Sequence, residues 1–131
     1  MITEDYCSFE VAKLLKEKGF DEPCECAYSS GGQYLLSCYK GIADRRIKND
    51  EASDFSYSST APTHQMAMKW LRDEKRISII IEFDLTKRGY CPYVYQLDYD
   101  MDWTVKWRVN TPMKYEEAVE AALKYTLENL I

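Results

Sequence analysis

The chain has 131 residues and a formal net charge of −5, with 46% hydrophobic and 30% charged residues. This length predicts a single globular domain over residues 1–131, because domains usually contain about 100–200 residues. The hydrophobic content excludes an intrinsically disordered chain. The acidic balance disfavours nucleic-acid binding, since proteins that bind nucleic acids contact phosphates through clustered Lys and Arg.

Neither a membrane span nor a secretion signal is visible. The longest strongly apolar run is Ile79-Ile80-Ile81, whereas a bilayer requires about 20 residues. The first five residues are partly acidic and no apolar core follows them, unlike a secretory signal. Five cysteines are present, an odd number that cannot pair fully. Together these features predict reduced thiols and a cytoplasmic location.

The first predicted element is an amphipathic helix that begins after Ser8, a good N-cap residue. Its apolar stripe consists of Val11, Ala12, Leu14 and Leu15. Gly19 predicts a left-handed stop at the C-terminal end, with Phe20 folding back onto the last turn.

A hairpin and a long loop are predicted next. Residues 24–28 and 33–39 flank the turn signal Ser-Ser-Gly-Gly of residues 29–32, which indicates two antiparallel strands. Residues 40–60 are polar and show no periodicity, so they predict a long surface loop.

The second half of the chain predicts a helix, three strands and a last helix. The second helix spans residues 62–75, with Pro62 in its first turn. Apolar and polar residues alternate over residues 77–84, 93–100 and 104–110. Short links between these segments indicate an antiparallel meander, because parallel pairing needs a long crossover. The last helix spans residues 115–130. We therefore expect an α+β fold with about five antiparallel strands and three amphipathic helices packed on the sheet.

Three helical segments resemble those of one group of bacterial proteins. They read SFEVAKLLKEKGF at residues 8–20, APT and MAMKWLR at residues 61–63 and 66–72, and YEEAVEAALKY at residues 115–125. In this order the chain resembles small proteins of unknown function that gut Bacteroidales bacteria and their phages or mobile elements encode. The resemblance implies a cytoplasmic bacterial or phage protein, and it implies no activity. Lys114 stands where members of the group often carry a capping Ser or Thr.

Two patterns in the sequence bear on metal binding. Cys24, Cys26 and Cys38, with the single histidine His64, would provide the ligands of a metal- or thiol-dependent enzyme. The Cys24–Cys26 spacing is narrower than zinc sites usually have, so burial as small apolar side chains is the simpler interpretation. The acidic segment at residues 98–102 lacks the Gly and Glu of a calcium loop and predicts an acidic β-turn. We therefore expect no cofactor, no metal and no catalytic residue.

Aromatic residues are the unusual feature, at 14% of the chain. A cluster in the last strands comprises Tyr90, Tyr93, Tyr95, Tyr99, Trp103 and Trp107. Tyr and Trp anchor protein interfaces well, although the simpler interpretation is that most of these rings close the core. The leading hypothesis is a small protein-binding or regulatory protein without catalysis, which binds a protein partner or a second copy. The alternatives are the cysteine-dependent enzyme and an acidic mimic of nucleic acid.

Overall fold

The computed structural model describes residues 2–31, 34–37 and 46–131. The helices are α1 (Phe9–Glu17), α2 (His64–Lys75) and α3 (Tyr115–Asn129), with a 3₁₀ helix at Asn49–Phe55. The strands are β1 (Cys26–Ser29), β2 (Leu35–Ser37), β3 (Tyr57–Thr60), β4 (Ile77–Asp84), β5 (Gly89–Leu97) and β6 (Trp103–Arg108). The fold is α+β with antiparallel sheets, as the sequence predicted. The chain divides into an N-terminal unit, Met1–Gln65, and a C-terminal unit, Met66–Ile131.

Helix α1 forms as its local sequence predicted. The Ser8 hydroxyl accepts a hydrogen bond of 3.2 Å from the Val11 amide, which satisfies one of the unpaired amides of the first turn. Gly19 ends the helix at a φ of +95°. The Phe20 amide then donates to the Leu15 carbonyl at 2.9 Å, so Phe20 folds back and is buried.

The N-terminal unit contains a three-stranded sheet in the order β2-β1-β3. The predicted hairpin is confirmed, because β1 pairs antiparallel with β2 and Cys26 lies opposite Ser37. Strand β3 pairs with the other edge of β1, with Thr60 opposite Ala27. Helix α1 packs on β3.

Residues 46–60 correct part of the predicted loop, since they contain the 3₁₀ helix and β3. Buried Asn49 holds this segment in place through its side-chain amide. Its Nδ2 donates to the Phe20 carbonyl at 2.7 Å, and its Oδ1 accepts from the Thr60 amide at 2.8 Å. Residues 40–45 of the predicted loop lie outside the described residues.

The C-terminal unit contains the predicted meander, in the order β4-β5-β6. Ile79 of β4 lies opposite Val94 of β5, and both are buried. Helix α3 packs on β4 and β5. Helix α2 runs across the boundary between the units and buries one side, formed by Ala67, Met68, Trp70 and Leu71.

A β-bulge divides β6 between the two faces of this sheet. Val94 pairs with Trp107, but the next residue, Tyr95, pairs with Val105, so Lys106 is the extra residue. Cross-strand partners point to the same face, and the bulge therefore places Trp107 on one face and Val105 on the other. Trp107 stacks on Tyr125 of α3, with ring centroids 4.8 Å apart. The Trp107 face is therefore the one that α3 covers.

Within the part of the chain that the structure describes, no helix combines the length and the apolar character that crossing a membrane requires.

Candidate functional site

The face of the β4-β5-β6 sheet opposite α3 carries exposed apolar side chains. We name it the aromatic face, and it consists of Ile80, Tyr93, Tyr95, Leu97, Trp103 and Val105. Ile80 pairs with Tyr93, and both Val105 and Trp103 pair with residues of the central strand β5. Ile80, Trp103 and Val105 are about half exposed, at 48%, 50% and 47%. Isolated exposed apolar residues are ordinary on protein surfaces, whereas a contiguous exposed apolar group is less common.

Two tyrosines form the centre of the aromatic face. The rings of Tyr93 and Tyr95 stack with their centroids 6.3 Å apart, so they present one continuous aromatic surface. The Glu82 carboxylate beside Tyr93 raises the pKa of its phenol above the ordinary 10.0, and desolvation and a hydrogen bond to Glu82 act in the same direction. These interactions all favour the protonated phenol of Tyr93.

The six aromatic residues that the sequence proposed as an interaction surface do not share one face. Tyr93, Tyr95 and Trp103 lie on the aromatic face. Tyr90 and Trp107 lie on the face that α3 covers, and Tyr90 makes an edge-on ring contact with Tyr115 at 5.2 Å. Tyr99 is 99% exposed in the turn after β5. Closure of the core, the simpler interpretation, thus applies to Tyr90 and Trp107.

Cys24 and Cys26 each form a hydrogen bond with another part of the protein. Cys24 is buried, and its thiol donates to the Glu22 carbonyl at 3.4 Å. The sulfur of Cys26 hydrogen-bonds Tyr6, and this bond, with burial and the charges of Cys26 and two nearby glutamates, raises the pKa of Tyr6 from 10.0 to about 12. Cys38 lies outside the described residues. Among the residues described, neither Cys24 nor Cys26 joins His64 in a group of three potential ligands.

His64 instead lies beside Cys7, a residue that the sequence analysis did not select. A short antiparallel bridge between Tyr6 and Thr63 joins the two segments. The Cys7 amide donates to the Pro62 carbonyl and the His64 amide to the Asp5 carbonyl, both at 2.9 Å. The Cys7 sulfur and a ring nitrogen of His64 consequently lie within 4.8 Å of each other. Both residues are buried, at 0% and 5% exposure.

No sequence signal joins Cys7 to His64. Cys7 directly precedes the N-cap of α1, and His64 begins α2. The two residues meet only because the segments around Tyr6 and Thr63 pair. A search for metal-ligand spacing examines neighbours in sequence and therefore cannot find this pair.

The comparisons with known proteins returned nothing: the chain matches no family model, no curated protein and no solved structure.

Proposed function

We propose that this protein binds an amphipathic helix of a partner protein on its aromatic face, and that it is a regulatory binding protein without catalytic activity. The observation that carries the proposal is the group of half-exposed apolar side chains on one face of the meander. Burying such a surface is the main driving force of most protein–protein association.

The width of the sheet favours a helix as the bound element. Three strands place the outer two about 10 Å apart, and a helix with its side chains is about 10–12 Å wide. Helix α3 already packs on the opposite face of the same sheet. A second helix of similar size, supplied by the partner, therefore fits the aromatic face.

The β6 edge of the sheet is less suited to binding than its face. Strand β6 forms one edge of the sheet, where an additional strand would have to pair. The bulge at Lys106 breaks the regular hydrogen-bonding pattern there. Bulges and edge lysines are devices that discourage edge-to-edge pairing.

The residue types suit the centre of an interface. Tyr and Trp are enriched among the residues that dominate binding energy. A standard interface contains about 20–30 residues on each side, whereas the aromatic face contributes Ile80, Tyr93, Tyr95, Leu97, Trp103 and Val105. These residues therefore form the anchoring centre, and polar residues around them, such as Glu82 and Arg108, form the rim.

The sequence supports a bacterial source for the partner, because the chain resembles small proteins of gut Bacteroidales and their phages. The four cysteines within the described residues are not in disulfides, which supports a reducing compartment. We therefore propose that the partner is a cytoplasmic protein of the bacterial host.

Photo-cross-linking from the centre of the aromatic face tests the proposal. A benzophenone amino acid replaces Tyr95, and the protein is irradiated in a lysate of a gut Bacteroidales species. The expected product contains a segment with apolar residues at helical spacing from a host protein. The matched control carries the same group at Tyr34, which is 66% exposed in the N-terminal unit.

The affinity of the protein for a synthetic peptide with the sequence of the cross-linked segment then tests the proposal. Trp103→Ser with Tyr95→Ser should weaken its affinity by at least about tenfold, because interface anchors each contribute about 2 kcal/mol or more. Tyr99→Ser, in the adjacent turn, should leave the affinity unchanged. The proposal is wrong if both variants bind equally, if the Tyr34 control gives the same product, or if the product is a second copy of this chain.

A second candidate function is binding of a thiophilic metal ion by Cys7 and His64. A thiolate and an imidazole are ligands that zinc and copper prefer, and the donor atoms lie within 4.8 Å. The alternative that the sequence placed on Cys24, Cys26, Cys38 and His64 stays a prediction, because Cys38 lies outside the described residues. Titration with Co²⁺ should produce a thiolate-to-cobalt absorption band that Cys7→Ser abolishes and Cys91→Ser retains. Absence of the band in the unaltered protein would exclude this site.

A further inference from the structure

A cleft of about 360 Å³ opens at one end of the β4-β5-β6 sheet, where α2 meets β4. Lys75, Arg76 and Lys106 line it, together with one carboxylate, Asp98. Three cations and one carboxylate leave a formal charge of +2 on the lining of the cleft, although the whole chain carries −5. We name it the basic cleft. Its volume lies within the range of about 300–1,000 Å³ that small-molecule sites occupy.

The carboxylate of the basic cleft already has partners of its own. Asp98 Oδ1 accepts from the amides of Asp100 and Asp102, both at 3.0 Å. These bonds shape the turn after β5 and direct the carboxylate toward backbone amides. Asp98 is thus an element of the turn, and its negative charge is already counted in the +2 of the lining.

Two of the three cations carry a charge that no carboxylate in the described part of the chain pairs with. Among the described residues, neither Arg76 nor Lys106 forms an ion pair. The ammonium of Lys75 lies 5.3 Å from the centroid of the Trp70 ring, a contact that holds the group without cancelling its charge. The positive charge of the basic cleft therefore remains available to an anion.

The backbone fixes Arg76 at the edge of this cleft. Its φ is +57°, in the left-handed region, and its carbonyl accepts from the Leu97 amide at 2.9 Å. A left-handed conformation is unfavourable for a non-glycine residue, and such strain persists where the surrounding structure holds it. A glycine would remove that cost, but arginine is present.

We infer that the basic cleft binds a small ligand that carries a phosphate group. A phosphate monoester carries a charge of about −1.5 to −2 at neutral pH, which matches the charge of the lining. The guanidinium of Arg76 provides paired donors for phosphate oxygens, and Leu97 and Tyr99 provide an apolar wall beside them. This site does not depend on the proposed partner helix, although both surfaces include Leu97.

Titration with inorganic phosphate at low ionic strength, followed by ¹H–¹⁵N NMR, tests the inference. The amide shifts that change on binding should lie at residues 75–76, 96–99 and 106. Arg76→Gly should weaken binding by at least about tenfold, because it removes charge-assisted hydrogen bonds while glycine accepts the left-handed φ. Lys106→Gln should also weaken binding, whereas Lys13→Gln, an exposed lysine on α1, should not.

Two further measurements distinguish a phosphate ester from the free ion, and phosphate binding from binding of the partner helix. Tighter binding of phenyl phosphate than of inorganic phosphate would identify a phosphate ester that contacts Leu97 and Tyr99, and equal binding would identify the free ion. Trp103→Ser should leave phosphate binding intact even where it abolishes helix binding. The inference is overturned if millimolar phosphate produces no localised shifts, or if Lys13→Gln weakens binding as much as Lys106→Gln.

Discussion

Gly89 begins β5 at a point where another segment passes very close. A Cβ atom added to Gly89 would lie 2.5 Å from Cβ and 3.2 Å from Cα of Pro112. The neighbouring Tyr90 and Met113 exchange two backbone hydrogen bonds, of 2.9 and 3.0 Å, so the Pro112 segment cannot move away freely. Glycine is therefore required at this position because it lacks a side chain.

We expect Gly89→Ala to lower the free energy of unfolding by about 1–3 kcal/mol, the usual cost of overpacking a well-packed site. Urea denaturation followed by circular dichroism measures this change. Gly31→Ala is the matched control, because an added Cβ there meets no atom within 4 Å. An equal loss of stability in both variants would contradict the argument.

Tyr6 provides a prediction about pH. Its pKa in the folded protein is about 12, above the value of about 10 expected for an unfolded chain. Folding therefore favours the protonated phenol, and the associated stability is present below pH 10 and is lost between about pH 10 and 12.

We expect the free energy of unfolding to fall more steeply from pH 9 to pH 11 in the native sequence than in Tyr6→Phe. Urea denaturation at both pH values measures this difference, and ionisable groups that do not interact with Tyr6 cancel in the comparison. Parallel curves for the two proteins would show that the hydrogen bond between Tyr6 and Cys26 does not hold the phenol proton.

At the scale of elements, the β6 bulge determines which tryptophan belongs to which face. Deleting Lys106 would remove the extra residue and leave Trp107 directly after Val105, so strict alternation would keep these two side chains on opposite faces. The deletion should therefore retain the stacking of Trp107 on Tyr125. We expect it to change the free energy of unfolding by no more than about 1 kcal/mol, because no buried aromatic contact is lost.

Thermal unfolding and near-ultraviolet circular dichroism of the Lys106 deletion measure these effects. Lys106→Ala retains the number of residues in β6 and should preserve both the melting temperature and the aromatic signal. Loss of the aromatic signal in the deletion, with the signal retained in Lys106→Ala, would mean that Lys106 is not the extra residue of the bulge.

Elements whose signals are local were predictable from the sequence. The Ser8 cap and the Gly19 stop depend on residues within a few positions, and α1 ends at Glu17, just before Lys18 and Gly19. The meander was predictable because its strands alternate and its links are short. Strand β3 was not, since Tyr57–Thr60 is polar and extends only through pairing with β1, which is distant in sequence.

The candidate site was only partly predictable for the same reason. The sequence placed Tyr93, Tyr95 and Trp103 in one cluster, and they do share a face. It could not separate Trp107 from them, because Trp103, Val105 and Trp107 alternate without a break and the bulge exists only in the pairing. The Cys7–His64 contact likewise depends on a bridge that no local pattern reveals.

At the scale of the whole molecule, burial of the thiols controls their reactivity. Cys7, Cys24 and Cys91 are at most 4% exposed, and none is in a disulfide. A modifying reagent reaches such groups only after the surrounding structure opens.

We expect these three thiols to react with Ellman's reagent at least about 100-fold more slowly in native buffer than in guanidinium. Each 1.4 kcal/mol of free energy needed to open the structure slows the reaction by about tenfold. Stopped-flow absorbance gives the rates, and in guanidinium all five cysteines should titrate as reduced thiols. Rapid reaction of all five in native buffer would contradict the buried positions.

The three tryptophans of the chain stand in three different surroundings. Trp70 is buried beneath the ammonium of Lys75, Trp107 lies flat against Tyr125, and Trp103 is half exposed. The fluorescence of these residues should therefore respond to different events. Acrylamide should quench mainly the emission of Trp103, so a fall in quenching would report a covered aromatic face. The emission of Trp107, measured in the same sample, would follow the integrity of the fold.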